Sequence, residues 1–204
     1  YAARFPHKVR RLVVAAAPVD VAAGNSTLSR TVKGTPLAAF EALTHNGGER
    51  VLGQHLLNLW NLSLASHDAD RALQVVPDSN SVHWRALKKR FERWYAATVD
   101  LPGVYYLEVV RRLFMENQIA EGRFVALGRT VALAAVRMPL FLLAAEDDEV
   151  VSPAQLFAVS HLVGTPPTQI DMATEPGSHL SLFIGARTIA TTWRQIGLWL
   201  DRDL

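Results

Sequence analysis

Between Pro139 and Gln155 the sequence reads PLFLLAAEDDEVVSPAQ. Six apolar residues in succession, Leu140 to Ala145, run into four acids, Glu146, Asp147, Asp148 and Glu149. A run this short and this uniformly apolar fits a strand buried on both faces of a parallel sheet. Such a sheet needs helices on both sides, so the run commits its surroundings to an α/β architecture. Ser152 and Pro153 then read as the N-cap and first residue of a helix over 152–163.

The same reading extends both ways along the chain. VRRLVVAA (9–16), closed by Pro18 and Asp20, predicts another buried strand, and TQIDMAT (168–174) a shorter one. YAARFP ahead of the first strand reads as the tail of a helix. The passage 123–136 reads as hairpin-like, with Gly128 at the bend. HLSLFIGARTIATTWRQIGLWL (179–200) predicts a closing helix, its apolar stripe running through Leu182, Ala186, Ile189, Trp193, Ile196 and Leu200.

From about Gly24 to Lys33 the chain turns polar, as a link into an insertion would. The middle is helical in pattern. Val51, Leu52, His55, Leu56 and Leu59 fall at helical spacing, as do Trp84, Leu87, Phe91 and Trp94. After Pro102 and Gly103, a further helix puts Tyr106, Val109, Val110 and Leu113 on one side. The VVPDSNS stretch (75–81) separates two of these helices. Three segments follow: 1–34, a helix end and the first core strand; 35–123, a helical cap insertion; and 124–204, a C-terminal core.

Composition narrows the function classes. With 204 residues, half of them hydrophobic, the chain can bury a sizeable core. A net charge of +2 is a mild excess that does not argue for nucleic acid, and the basic runs HKVRR and LKKRFERW read as solvated faces. With no cysteine there is neither a disulfide framework nor a thiolate metal site, and a reducing compartment suits such a chain. No apolar run is long enough to span a membrane. No motif asks for a cofactor, and neither His-x-His nor ligand-spaced carboxylates ask for a metal.

In doubly wound sheets the chemistry sits past the carboxyl ends of the strands. Two features lie there: the acid cluster after PLFLLAA, and His179 in TEPGSHLSLF after the next strand. Neighbouring parallel strands are about 4.8 Å apart, so their loops can bring a carboxylate to an imidazole. An acid after one strand and a histidine after the following one are the last two members of a triad in the α/β-hydrolase chain order of nucleophile, acid, histidine. The acid would hold the ring's tautomer and stabilise the imidazolium.

EDDEVVSP resembles the hydrolase pattern Gly-Glu-x-Asp-x-Ile-Val-Pro, with Ala145 at the Gly. That alignment puts Asp148 on the catalytic acid, with Asp147 the next choice and Glu146 and Glu149 as loop residues. An acid-rich turn favouring the following helix is the plain alternative. His7, His45, His67 and His161 read as exposed, and His55 and His83 as neighbours of helical aromatics. No Gly-x-Ser-x-Gly elbow occurs in the chain. The nucleophile and oxyanion amides are therefore expected upstream of Tyr1, the elbow ending about ten residues before it.

Several stretches resemble one family in particular: YAARFPHKVRRLVVAAAPVD (1–20), DLPGVYYLEVVRRLFMENQIAEGRFVALGRTV (100–131), PLFLLAAEDDEVV (139–151) and PGSHLSLFIGAR (176–187). They resemble the carboxyl-terminal region of intracellular poly(3-hydroxybutyrate) depolymerases, relatives of the polyhydroxyalkanoate synthases among the α/β hydrolases. DLPGVYYLEVVRRLF is the most family-specific part. The resemblance implies the last three parallel strands and helices of an α/β-hydrolase fold, a helical cap over a substrate groove, and no N-terminal strands or nucleophile elbow within the chain. It implies Asp148 and His179 as triad acid and base, a nucleophilic cysteine, a polyester or 3-hydroxyacyl ester substrate, no cofactor, and a cytoplasmic, granule-associated setting. Ala145 for Gly, and PGSH for Gly-x-Gly-His, depart from the family pattern.

Two other readings stay open. The same residues serve a synthase-like acyltransferase, in which a hydroxyacyl chain captures the acyl enzyme instead of water. A non-catalytic binding protein would use Trp60, Trp84, Trp94, Tyr105 and Tyr106 as an exposed apolar surface. The strand at 9–16 is also expected to present an open edge, through which an isolated chain would pair with a second copy, aggregate or lose order.

Overall fold

The computed structural model describes residues 1–59, 66–74 and 82–202. Strand β1 (Leu12–Ala15) leads into helices α1 (Thr27–Gly34) and α2 (Leu37–Asn46). Then come β2 (Arg50–Val51), α3 (Gly53–Leu59), α4 (Ser66–Leu73) and α5 (Val82–Ala96). β3 (Leu101–Pro102) precedes α6 (Gly103–Glu108), which continues as a π-helical stretch, Val109–Met115. A hairpin of β4 (Val125–Ala126) and β5 (Arg129–Thr130) follows. The remainder alternates β6 (Leu140–Ala145), α7 (Pro153–Phe157), α8 (Val159–Leu162) and β7 (Ile170–Glu175). It closes with α9 (Ser181–Ile184), α10 (Ala186–Thr188), a π-helical segment Ile189–Trp193, and α11 (Arg194–Leu200).

The core is a parallel sheet in the order β1-β6-β7. β6 is central, and all six of its residues are buried. Its alternate side chains feed two separate cores. Leu140, Leu142 and Ala144 pack with Leu156 and Val159 of α7 and α8. Phe141, Leu143 and Ala145 pack with Leu182, Ile196 and Trp199 from the closing helices. The unbroken apolar pattern of PLFLLAA is thus the mark of a strand with no solvent face. Among the described residues β1 pairs with β6 alone, so its other edge is unpaired as expected.

Several details differ from the sequence reading. The polar stretch 24–33 is mostly helix, because Ser26 caps it: Ser26 Oγ accepts from Ser29 N–H, and Ser29 Oγ accepts from Ser26 N–H. Val32 then packs with Phe40, Val51, Tyr106 and Val110. Val51 lies in β2 and not on the helix that follows it. YAARFP makes a single turn, with Phe5 N–H on the Tyr1 carbonyl at 2.9 Å, before a 3-10 turn at Pro6–Lys8. The stretch 75–81 lies outside the described residues.

The predicted closing helix is interrupted at Gly185, whose backbone is extended (φ −68°, ψ 125°). The break and the π-helical stretch after it shift the helical phase. Thr188, Thr192, Ile196 and Trp199 therefore face inward, while Ile189 and Leu200 are exposed. The hairpin forms where Gly128 suggested, with Leu127 (φ 52°) and Gly128 (φ 70°) both left-handed, as a two-residue hairpin turn requires. Ser152 occupies the N-cap position ahead of Pro153, but the cap contact is made by Gln155, whose Oε1 accepts from Ser152 N–H at 3.0 Å.

Candidate active site

The loops leaving β6 and β7 run on side by side past the sheet. Glu146 N–H donates to the Glu175 carbonyl at 2.9 Å, and Asp147 N–H to the Gly177 carbonyl at 3.1 Å. This main-chain zipper carries Asp148 and His179 toward each other. His179 Nδ1 lies 2.9 Å from Asp148 Oδ2 and 3.1 Å from Oδ1. The Asp148 side chain is fully buried, and that of His179 is a quarter exposed. Asp148 Oδ1 also accepts the N–H groups of Val150 and Val151, at 2.8 Å each. A carboxylate is an acceptor only, so Nδ1 carries the proton and Nε2 is the ring nitrogen left for other chemistry. The His179 ring also meets Phe183 edge-on, with centroids 6.0 Å apart.

The other acids of the cluster go elsewhere. Glu146 and Asp147 are exposed, and Asp147 pairs with Arg71 at 3.2 Å. Glu149 is half-buried, and its carbonyl accepts from Leu28 N–H in α1. Ala145 fits its position in place of Gly because its methyl is buried in the core face of β6. Gly177 has φ 124°, and a Cβ there would lie 3.2 Å from that of Ser181. Among the described residues no group of three or more His, Asp or Glu side chains could hold a metal ion.

His179 opens onto an apolar cavity of about 340 Å³. Its core side is formed by Ala16 and Pro18 after β1 and by Val150 and Val151 after Asp148. Its far side comes from α1, α2, α3 and α6, with Val32, Phe40, Leu56 and Tyr106 among the contributors. Tyr106 is buried, and desolvation pushes its phenol above the ordinary value, so it stays a neutral hydroxyl at neutral pH. Thr31, in a stretch the sequence marked only as a polar link, and Thr35, at the start of the segment read as a cap, add hydroxyl-bearing side chains to the wall. Ser26 at N-cap position was the local signal for that helix.

The exposed aromatic surface set out above does not form as a unit. Trp84 and Tyr106 are buried, at 7% and 8% exposure, whereas Trp94 and Tyr105 stand out at 56% and 57%. Trp84 and Phe91 instead join Ala69, Ala72 and Leu73 in a cluster seated on Leu180 and Ile184. Trp60 and the side chain of His67 lie outside the described residues. His7, His45, His83 and His161 are exposed. No helix among the described residues is long and apolar enough to cross a membrane.

The chain is 25% identical over 202 residues to the poly(3-hydroxyalkanoate) polymerase subunit PhaC of Allochromatium vinosum, covering 98% of this chain and 55% of the relative. It is 27% identical over 212 residues to the same subunit of Synechocystis, covering 98% and 54%. The chain thus spans about half the length of the curated relatives it matches. In fold it resembles a monoacylglycerol lipase from Paleococcus ferrophilus, with a TM-score of 0.54, 14% identity, and coverage of 98% of this chain and 61% of that one. A parallel sheet with helices on both faces fits that likeness: this is part of an α/β-hydrolase fold. Residues 63–196, from within the helical middle to the last helix, match the family model described as PHB de-polymerase C-terminus, and the chain belongs to that family.

Proposed function

We propose that the protein cleaves ester bonds in poly(3-hydroxyalkanoate) or related 3-hydroxyacyl esters through a nucleophile–His179–Asp148 triad. The reading is carried by one observation: His179 sits on Asp148 at 2.9 Å and also lines the 340 Å³ apolar cavity. The nucleophile, Ser or Cys, is supplied by the part of the full-length protein amino-terminal to Tyr1, as the hydrolase order of nucleophile, acid, histidine requires. Its proton passes to His179 Nε2 as its oxygen or sulfur bonds to the ester carbonyl carbon. The tetrahedral adduct then expels the alkoxide, which takes that proton from His179. Water next attacks the acyl enzyme, giving its proton to His179. The 3-hydroxy acid leaves and the nucleophile is reprotonated. Asp148 stays ionised throughout and stabilises the imidazolium.

The cavity supports an acyl chain with small branches. Its walls are aliphatic and aromatic, and the side lined by α1, α2, α3 and α6, within and beside the segment read as a cap, would shield the chain from water. A second reading has its own support, because the curated relatives that cover nearly the whole chain are polymerase subunits. In that reading the acyl enzyme passes to the hydroxyl of another 3-hydroxyacyl chain. The full-length protein separates the two: release of 3-hydroxy acid from amorphous polyester supports cleavage, and polymer gain from a 3-hydroxyacyl thioester supports transfer. Retention of either activity in His179→Ala sinks the triad.

A further inference from the structure

Gln74, just past α4, has no part in the proton shuttle, yet it binds the segment that holds His179 at both ends. Its Oε1 accepts hydrogen bonds from the backbone N–H and the Oγ1 of Thr188, each at 3.0 Å. Its Nε2 donates to the Pro176 carbonyl, also at 3.0 Å. Pro176 and Thr188 bracket His179, so one amide closes a loop that lies more than a hundred residues further along the chain. One turn earlier on α4, Arg71 pairs with Asp147, the neighbour of Asp148. The end of α4 thus reaches both loops of the acid–histidine pair.

The surroundings are shaped for this side chain. Gln74 has φ 52°, at the left-handed position where a helix end normally carries Gly. An L-residue there costs roughly 1 kcal/mol, and the three hydrogen bonds offset it. Gly185 gives the amide room, since a Cβ on Gly185 would lie 2.6 Å from Gln74 Cδ. The chemistry also selects an amide, because the site needs an acceptor for two donors and a donor for a carbonyl. A carboxylate could not supply the donor.

We infer that Gln74 is a positioning residue: it fixes the 176–188 segment so that His179 is held against Asp148 at the cavity. This rests on the proposed role of His179 as base. A base displaced by about 1 Å can lose on the order of 100-fold in rate, so Gln74 should act on turnover and leave substrate binding alone.

The test uses the full-length protein with Gln74→Leu, Gln74→Glu, His179→Ala and, as a packing control, Val136→Ala, buried in the core ahead of β6 and away from the cavity and the 176–188 segment. Hydrogen exchange of the 176–188 segment is measured with kcat, KM and Tm on a soluble 3-hydroxybutyryl ester. Both Gln74 variants should exchange this segment faster and lose roughly 10- to 100-fold in kcat, with KM near that of the parent. Val136→Ala, at a comparable loss of Tm, should keep kcat near the parent value. Unchanged exchange in the segment, unchanged kcat, or an equal kcat loss in Val136→Ala overturns the inference. If Gln74→Leu does not fold, Thr188→Val removes one of the two donors with its shape kept, and the same outcomes apply. An active His179→Ala fails the triad reading and the positioning role with it. An inert His179→Ala beside a fully active Gln74→Leu fails only the positioning role.

Discussion

Asp148 Oδ1 holds three donors at once: Val150 N–H, Val151 N–H and, more distantly, His179 Nδ1. The acid is therefore fixed by its own loop before it meets the imidazole. Replacing it with Asn keeps an acceptor for the two amides but makes the wrong His179 tautomer available. In the full-length protein Asp148→Asn should lower kcat by about 10⁴-fold, as loss of the orienting acid does elsewhere, with Tm little changed. Asp147→Asn breaks only an exposed pair worth about 0–1 kcal/mol and should leave kcat near the parent value. If the two variants exchange these phenotypes in a kinetic comparison, the acid is Asp147.

Leu28 lines the cavity from α1 and is only partly buried, so a larger side chain has somewhere to go. Leu28→Trp should narrow the cavity and shift preference toward short-chain 3-hydroxyacyl esters, raising KM for longer ones. A series of esters of increasing acyl length measures this, and an unchanged profile would mean the chain binds elsewhere.

Leu142 has no exposed surface and stands in the middle of the central strand. Leu142→Ala should cost about 2–5 kcal/mol, lowering Tm by on the order of 10 °C for a chain of this size. Thermal unfolding followed by circular dichroism checks it.

Leu127 spends its left-handed conformation on a fully surface-facing side chain. Asn tolerates that conformation far better, and Asn-Gly is the preferred pair for this hairpin turn. Leu127→Asn should therefore stabilise the protein, by about 1 kcal/mol. A melting temperature at or below that of the parent would contradict the turn geometry.

Tyr106 gives a pH signature. Its phenol is raised in the folded state by desolvation, while the unfolded chain titrates near 10. Below pH 10 both states keep the proton, and the contribution to stability is fully present. As pH rises past 10 the unfolded state loses the proton first, so stability falls toward the folded value. Tyr106→Phe should flatten that fall in denaturant titrations between pH 9 and 11.

The central strand and the meeting of Asp148 with His179 were legible because both rest on short-range patterns. An unbroken apolar run has one comfortable environment, and residues just beyond parallel strands converge by sheet geometry. Facing on the closing helix was not legible: Gly185 and a π-helical stretch change the phase, and a fixed period put Ile189 and Leu200 inside. Trp94 shows the same limit, since it shares a spacing with Trp84 and Phe91 but sits outward in a helix that buries a narrow face. Gln74 gave no signal, because its partners lie at 176 and 188 and only the fold brings them near.

The link between the β6 and β7 loops is made by Glu146 and Asp147 amides on the carbonyls of Glu175 and Gly177. Main-chain bonds of this kind ignore side-chain identity. The exposed positions 146 and 147 can then be recoded for charge while the frame under Asp148 and His179 stays put, whereas the half-buried Glu175 is tied to the Thr192 hydroxyl and cannot. The charge beside the acid–histidine pair is thus adjustable without moving the pair itself.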